Sequence, residues 1–254
     1  MFVDSHSHIY SEEFNPDRDE VIGRALNLGV SKIVLPNIDS FTIKPMLDLA
    51  DSDPQFFIPL IGLHPTSVKG DFVKELQIME YWLEKRKFAG IGEIGIDLYW
   101  DKTFINEQVE AFRIQIGWAK KLKIPIVIHV RDSFSEVIEV LQKEKDESLT
   151  GVFHSFTGNA DQAKQVIDIG FKLGIGGIIT FKNSKLDIAI QNTDIQHIVL
   201  ETDSPWLAPV PYRGRRNEPG YIVEVACKLA SIYEISIEEV AGITTQNSKQ
   251  LFGF

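Results

Sequence analysis

Cysteine is almost missing from this chain of 254 residues: Cys227 stands alone, so no disulfide can close within it. A fold held by disulfides is excluded, and a reducing compartment is the expected setting. Positive charge is scarce too, since 26 Lys and Arg against 36 Asp and Glu leave a formal net charge of -10. Broad non-specific binding to nucleic acid depends on Lys and Arg neutralising phosphates, so this balance argues against it. A phosphate-bearing substrate would need a local positive site, such as metal ions. No apolar run approaches the length of a bilayer span, and no basic segment followed by an apolar one opens the chain. The expected location is therefore the cytoplasm. Low-complexity and linker-like stretches are also lacking, so residues 1–254 are expected to form one domain. With 44% hydrophobic and 24% charged residues, the composition is that of a globular protein.

What is there is an alternation. Eight short apolar runs, ending near His6-Ser7-His8, Pro36, His64, Asp97, Val130, Phe156, Gly176 and Asp203, are separated by segments with helical spacing of apolar residues. Pro16 to Leu28 is one such segment, closed by Gly29 at a C′ position. Ile222 to Ile232 is another, and it contains Cys227, which is expected to be a small buried hydrophobe. The pattern predicts a parallel (β/α)₈ TIM barrel, with a doubly wound open sheet as the structural alternative.

The polar residues that interrupt these runs carry the chemistry. His6 and His8 are two apart on an extended segment, so their imidazoles point to one side and can converge on a metal. Alone, such a pair reads as two ordinary histidines. Yet His64, Glu93, His129, His154 and Asp203 also fall at or near C-terminal strand ends, which share one face in a barrel. Of six histidines only His197 lies outside this set. Neutral imidazoles and carboxylates suit Zn²⁺, Mn²⁺ or a related ion. His6, His8, Glu93, His129, His154 and Asp203 exceed the three protein ligands of one catalytic zinc, so two divalent ions are the simpler account. Glu93, halfway round the barrel, is the best bridging candidate, and hydrolysis is the natural reaction class.

Asp4-Ser5-His6-Ser7-His8, Gly62-Leu63-His64-Pro65, Gly92-Glu93-Ile94-Gly95-Ile96-Asp97, His129-Val130-Arg131-Asp132, His154-Ser155-Phe156-Thr157-Gly158 and Glu201-Thr202-Asp203-Ser204-Pro205 together resemble the ordered motifs of the TatD-type deoxyribonucleases. Arg213 to Pro219 and Asn247 to Phe252 match as well, so the resemblance covers nearly the whole chain. It implies a (β/α)₈ barrel holding two or more divalent metals (Mg²⁺, Mn²⁺ or Zn²⁺) and a 3′-5′ exonuclease acting on single-stranded or damaged DNA. By position, it implies that His6, His8, Glu93 and Asp203 hold one ion and Glu93, His129 and His154 the other. It also implies that Asp203 orients or deprotonates the water and that His64 lies near the substrate phosphate. Tyr10 departs from the family, standing where an acidic residue is frequent, and Leu98-Tyr99 replaces a frequent tyrosine pair. Both are expected at the rim, where they bear on substrate preference.

Arg131 is either a phosphate clamp or the partner of Asp132. Arg213 and Arg215 are expected to contact substrate phosphates from the loop after strand eight, whereas Arg216 is expected to pair with Glu218 or the Asp203 loop. Glu201, two residues before Asp203, is expected behind a ligating histidine. Tyr99, Trp100 and Trp206 either stack on unpaired bases or pack loops. Two other functions remain: hydrolysis of a small amide, lactone or phosphoester, and a non-catalytic metal- or partner-binding barrel.

Overall fold

Valine and isoleucine on alternating faces decide the architecture. Val34, Ile58, Leu60, Val127, Val152 and Val199 form a small apolar cluster with Phe252, separate from a much larger cluster of 55 buried residues. The small cluster fills the inside of a barrel, and the large one lies between its strands and the surrounding helices. Successive strand side chains alternate, so each interior valine selects the face of the residue two positions on. Val127 leads to His129, Val152 to His154 and Val199 to Glu201. The interior is thereby apolar low down and polar at the top.

The computed structural model describes all 254 residues. Its strands are β1 (Phe2–Asp4), β2 (Val30–Leu35), β3 (Phe57–Pro59), β4 (Ile91–Asp97), β5 (Ile126–Arg131), β6 (Gly151–Phe153), β7 (Lys172–Ile175) and β8 (Ile198–Leu200). Helices α1 (Arg18–Asn27), α2 (Ser40–Ser52), α3 (Phe72–Lys85), α4 (Ile105–Leu122), α5 (Phe134–Glu144), α6 (Ala160–Asp168) and α7 (Leu186–Ile190) separate them, and α8 (Ile222–Tyr233) and α9 (Ile237–Phe252) follow. Asp39 and Thr42 form a reciprocal capping box that recruits Ser40 and Phe41 into the first turn of α2.

Pairing is parallel throughout, in the orders β1-β2-β3 and β4-β5-β6-β7-β8. Two seams close the ring. Ile61 N donates to Gly90 O at 3.3 Å and Gly92 N to Ile61 O at 2.9 Å, joining the β3 and β4 sides. Ser5 N donates to Leu200 O at 2.9 Å and His8 N to Ser204 O at 2.8 Å, joining the β1 and β8 sides. The (β/α)₈ barrel expected from the alternation is the fold of this protein, and the open sheet is excluded.

One expectation was wrong. Cys227 is exposed, because the buried stripe of α8 runs through Ile222, Val225, Ala226 and Leu229 and leaves position 227 on the outer face.

The β1–β8 seam contains a buried acid. Asp4 Oδ1 accepts from Thr202 N at 3.0 Å, and Asp4 Oδ2 lies 2.6 Å from Thr202 Oγ1. Thr202 Oγ1 is also 3.1 Å from Ser204 Oγ, which is 2.7 Å from Ser7 Oγ. A protonated Asp4 can donate to Thr202 Oγ1, which then passes its own proton on towards Ser204 Oγ. Burial pushes the Asp4 carboxyl up to about 8, against hydrogen bonds from Thr202 and His6 that lower it. Because the folded state then binds a proton that the unfolded chain releases above 3.8, stability contributed here falls as pH rises from 3.8 to about 8. Asp4→Asn, whose amide can donate to Thr202 Oγ1, is expected to fold and to flatten that slope in chelator-treated protein. An unchanged melting profile across the window would count against the protonated acid.

Candidate metal centre

Glu93 lies late in β4, between the two halves of the ring, and its carboxylate is 3% exposed. Five imidazoles surround it. Its Oε2 is 3.1 Å from His6 Nε2 and 3.6 Å from His8 Nε2. Its Oε1 is 2.7 Å from His154 Nε2, 2.8 Å from His129 Nδ1 and 3.3 Å from His64 Nε2. Asp203 approaches from the closing strand, with Oδ1 3.8 Å from His6 Nε2. Three groups of donor atoms lie close enough to hold an ion: His6, His8 and Asp203; His6, Glu93 and His154; His64, Glu93 and His129.

The ordered strands stop short of several of these residues. His6, His8, His64, His154 and Asp203 all follow the last paired residue of their strand. Extended backbone carries the histidines onward, whereas Asp203 adopts a left-handed conformation with φ 56°. Asp tolerates that region better than most residues. The turn is held by Asp203 N donating to His6 O at 2.9 Å.

Electrostatics divide the cluster. Burial pushes the Glu93 carboxyl upward, but attraction to His154, His64 and His6 and the hydrogen bond from His129 hold it well below the usual range. Burial beside His154 keeps His6 well below the ordinary histidine value, and burial lowers His64 too. Burial also opposes charge on His154 and His129, yet Glu93 with Glu201 raises the first, and Asp97 with Glu93 the second. Burial raises Asp203 to about 6, against the pull of His154 and His8.

These groups fit a divalent cation. His6 Nε2 and His8 Nε2 face each other at 3.2 Å, and His6 Nδ1 is buried without a partner. Two imidazole nitrogens converging on a carboxylate oxygen in a dry cup are better satisfied by a cation between them than by each other.

Behind the histidines stand supporting residues, of which Glu201 was expected and Asp97 and Tyr10 were not. His129 Nε2 meets Asp97 Oδ2 at 2.8 Å, and Asp97 Oδ1 also accepts from Tyr99 N and Trp100 N. His8 Nδ1 meets the hydroxyl of Tyr10 at 2.9 Å. Tyr10 is 3% exposed, so it lies beneath the site and not at the rim as expected. Glu201 Oε1 lies 3.6 Å from His154 Nδ1 and accepts from Ser155 N. Gly174 makes room for Glu201: a Cβ there would stand 2.2 Å from Glu201 Oε2 and 3.0 Å from His154 Cα. Gly174→Ala is expected to cost about 1–3 kcal/mol through overpacking and to weaken metal uptake by turning His154. Wild-type uptake in a folded Gly174→Ala protein would count against the second effect.

The arginines part company. Arg131 makes no ion pair, with Asp132 or any other carboxylate; its guanidinium lies 3.9 Å over the Tyr99 ring and 5.3 Å from that of Trp100. Tyr99 and Trp100 are themselves exposed. Arg213 lies 3.9 Å over Phe181 and donates to Ala208 O at 3.0 Å. Arg215 is exposed and makes no side-chain hydrogen bond or ion pair. Arg216 grips Asp17 through two hydrogen bonds of 2.8 and 2.7 Å and comes within 3.6 Å of Glu218. On the β1–β2 side, a groove of about 1070 Å³ runs beside Tyr10 and Trp206 and is lined by Glu12, Glu13, Asp19 and Asp48.

A closed parallel barrel with a carboxylate-centred histidine cluster at the C-terminal ends of its strands is the architecture of a metal-dependent hydrolase. The family model described as TatD related DNase matches residues 3–253, and the chain belongs to the TatD family. It is 37% identical to the uncharacterized metal-dependent hydrolase YabD of Bacillus subtilis over 99% of both chains. It is 30% identical to the uncharacterized metal-dependent hydrolase YcfH of Escherichia coli over 99% of this chain and 96% of that one. Among solved structures, the TatD homologue YjjV of Escherichia coli superposes with a TM-score of 0.92 at 28% identity, covering 100% of this chain and 98% of the other.

Proposed function

We propose that residues 1–254 form one catalytic domain of a cytoplasmic 3′-5′ exodeoxyribonuclease, which hydrolyses phosphodiesters of single-stranded or damaged DNA with two divalent ions, Mg²⁺, Mn²⁺ or Zn²⁺. The observation that carries the reading is the carboxylate of Glu93, one oxygen turned to His6 and His8 and the other to His129 and His154. His6, His8, Glu93 and Asp203 would hold one ion, and Glu93, His129 and His154 the other. When bound, such ions supply Lewis acidity and neutralise phosphate charge.

The residues of the chain divide the remaining work. Asp203, raised to about 6, is suited to take the proton of the attacking water. As the water oxygen bonds to phosphorus, the bond from phosphorus to the neighbouring 3′-oxygen breaks, and that oxygen leaves as a hydroxyl on receiving the proton that Asp203 took from the water. His64, part-exposed beside His129, contacts the scissile phosphate. Arg131, without an acidic partner, and the exposed Tyr99 and Trp100 form a surface for phosphate and unpaired bases. Arg213 and Arg215, on the loop after β8, offer further positive charge to the substrate phosphates.

Metal-stripped protein given back Mg²⁺, Mn²⁺ or Zn²⁺ is expected to shorten 5′-labelled single-stranded DNA. A second reading, hydrolysis of a small amide, lactone or phosphoester, is favoured by the acidic groove beside Tyr10 and Trp206. Turnover of such compounds with no DNA cleavage under any ion would sink the nuclease. Arg215→Ala is expected to weaken DNA cleavage and to reduce the salt slope by about 0.7, the value for one phosphate of a single strand left unneutralised. An unchanged slope would remove Arg215 from the substrate path.

A further inference from the structure

We infer that Tyr10 is a positioning residue that fixes the tautomer of His8 and, being neutral, makes the His6/His8 half of the centre the weaker and later-filled of the two. The inference rests on the two-ion reading above. The Tyr10 hydroxyl lies 2.7 Å from Pro36 O and 2.9 Å from His8 Nδ1. A carbonyl oxygen can only accept, so the single phenolic proton goes to Pro36. The phenolic oxygen is then left to accept, and His8 Nδ1 must carry the imidazole proton. His8 Nε2 is therefore a bare lone pair, and it is the nitrogen that faces His6 Nε2 at 3.2 Å and Glu93 Oε2 at 3.6 Å. Carbonyl, phenol and imidazole form a relay with only one consistent proton arrangement.

The partners of the other histidines make this arrangement unequal. His129 is hydrogen-bonded to the Asp97 carboxylate at 2.8 Å, and His154 Nδ1, though without a hydrogen-bond partner, faces the Glu201 carboxylate at 3.6 Å. His6 Nδ1 is buried with no partner, and His8 has a phenol. A carboxylate behind an imidazole pushes electron density onto the ligating nitrogen and strengthens it as a donor, whereas a neutral oxygen orients the ring and adds little density. Asp203 partly offsets the difference, but its side chain is 14% exposed and its Oδ1 stands 3.8 Å from His6 Nε2. The half served by His129 and His154 consequently fills first.

Calorimetric titration of metal-stripped protein with Zn²⁺ alone, beside histidine-selective ¹⁵N NMR, tests this. Wild-type protein is expected to bind two ions in two resolved steps and to show the His8 proton on Nδ1. Tyr10→Phe is expected to weaken the second step by about 10–100-fold, to leave the first unchanged, and to mix the two tautomers of His8. The wild-type tautomer needs no variant, so a misfolded Tyr10→Phe would leave that half of the test standing. Uptake of a single ion by wild-type protein would overturn the two-ion reading itself. Two ions with both steps insensitive to Tyr10→Phe, both steps weakened alike, or a wild-type His8 protonated on Nε2 would overturn the role of Tyr10 alone.

Discussion

Asp203→Asn is expected to lower turnover by about 10²–10⁴-fold, the usual contribution of a positioned general base. The fold should survive, because asparagine also accepts the left-handed backbone at φ 56° and keeps its N–H on His6 O. A change of less than about 1 kcal/mol in stability is expected beside the collapse in rate. The same residue sets a pH signature. Burial raises the Asp203 carboxyl to about 6, and a base works only when ionised, so activity falls as pH drops through that value. Nearby cations favour the ionised form, which places the acid limb of the wild-type profile at or below about 6 and shifts it downward as ion concentration rises. Wild-type turnover by Asp203→Asn would assign the proton transfer to another group.

Glu93→Gln is expected to reach further, because both halves of the centre converge on that one carboxylate. A glutamine has a single acceptor oxygen and would press an NH₂ group against two imidazoles. Affinity for both ions is expected to fall by at least about 100-fold, beyond the loss caused by removing one supporting partner, and turnover to background. Ion titration of the folded variant checks this, and full two-ion uptake would show that Glu93 is not shared. Uptake by the wild-type protein is also expected to release protons. Burial opposes charge on His154 and His129, but their carboxylate partners raise both above the ordinary 6.5, so ions must displace protons near neutral pH. Apparent affinity therefore weakens as pH falls, which calorimetry in buffers of different ionisation enthalpy reads directly.

Several of these positions are legible without coordinates. Period-two alternation carries Val127, Val152 and Val199 each to a polar residue two places on, so His129, His154 and Glu201 announce themselves as inward-facing once β5, β6 and β8 are recognised as strands. The expectation failed where it relied on one helix face, as with Cys227, and where it took Tyr10 for a rim residue. A stripe one position out of phase exposes the first, and the reach of a phenol from the end of β1 to Pro36 beyond β2 buries the second.

The sequence by itself determined the alternation of eight strands with helices, the strand ends at which the chemical residues gather, and the candidate donors, because strand period, helix period and chain order are local properties. Only the tertiary structure decided what stands behind each donor. Asp97 behind His129, Tyr10 behind His8, Glu201 behind His154 in the space left by Gly174, and the unpaired Arg131 on Tyr99 are matters of which atoms meet across neighbouring strands and loops. Those meetings depend on side-chain rotamers and on ring closure between residues nearly 200 positions apart, as with Ser7 and Ser204. No spacing along the chain encodes them.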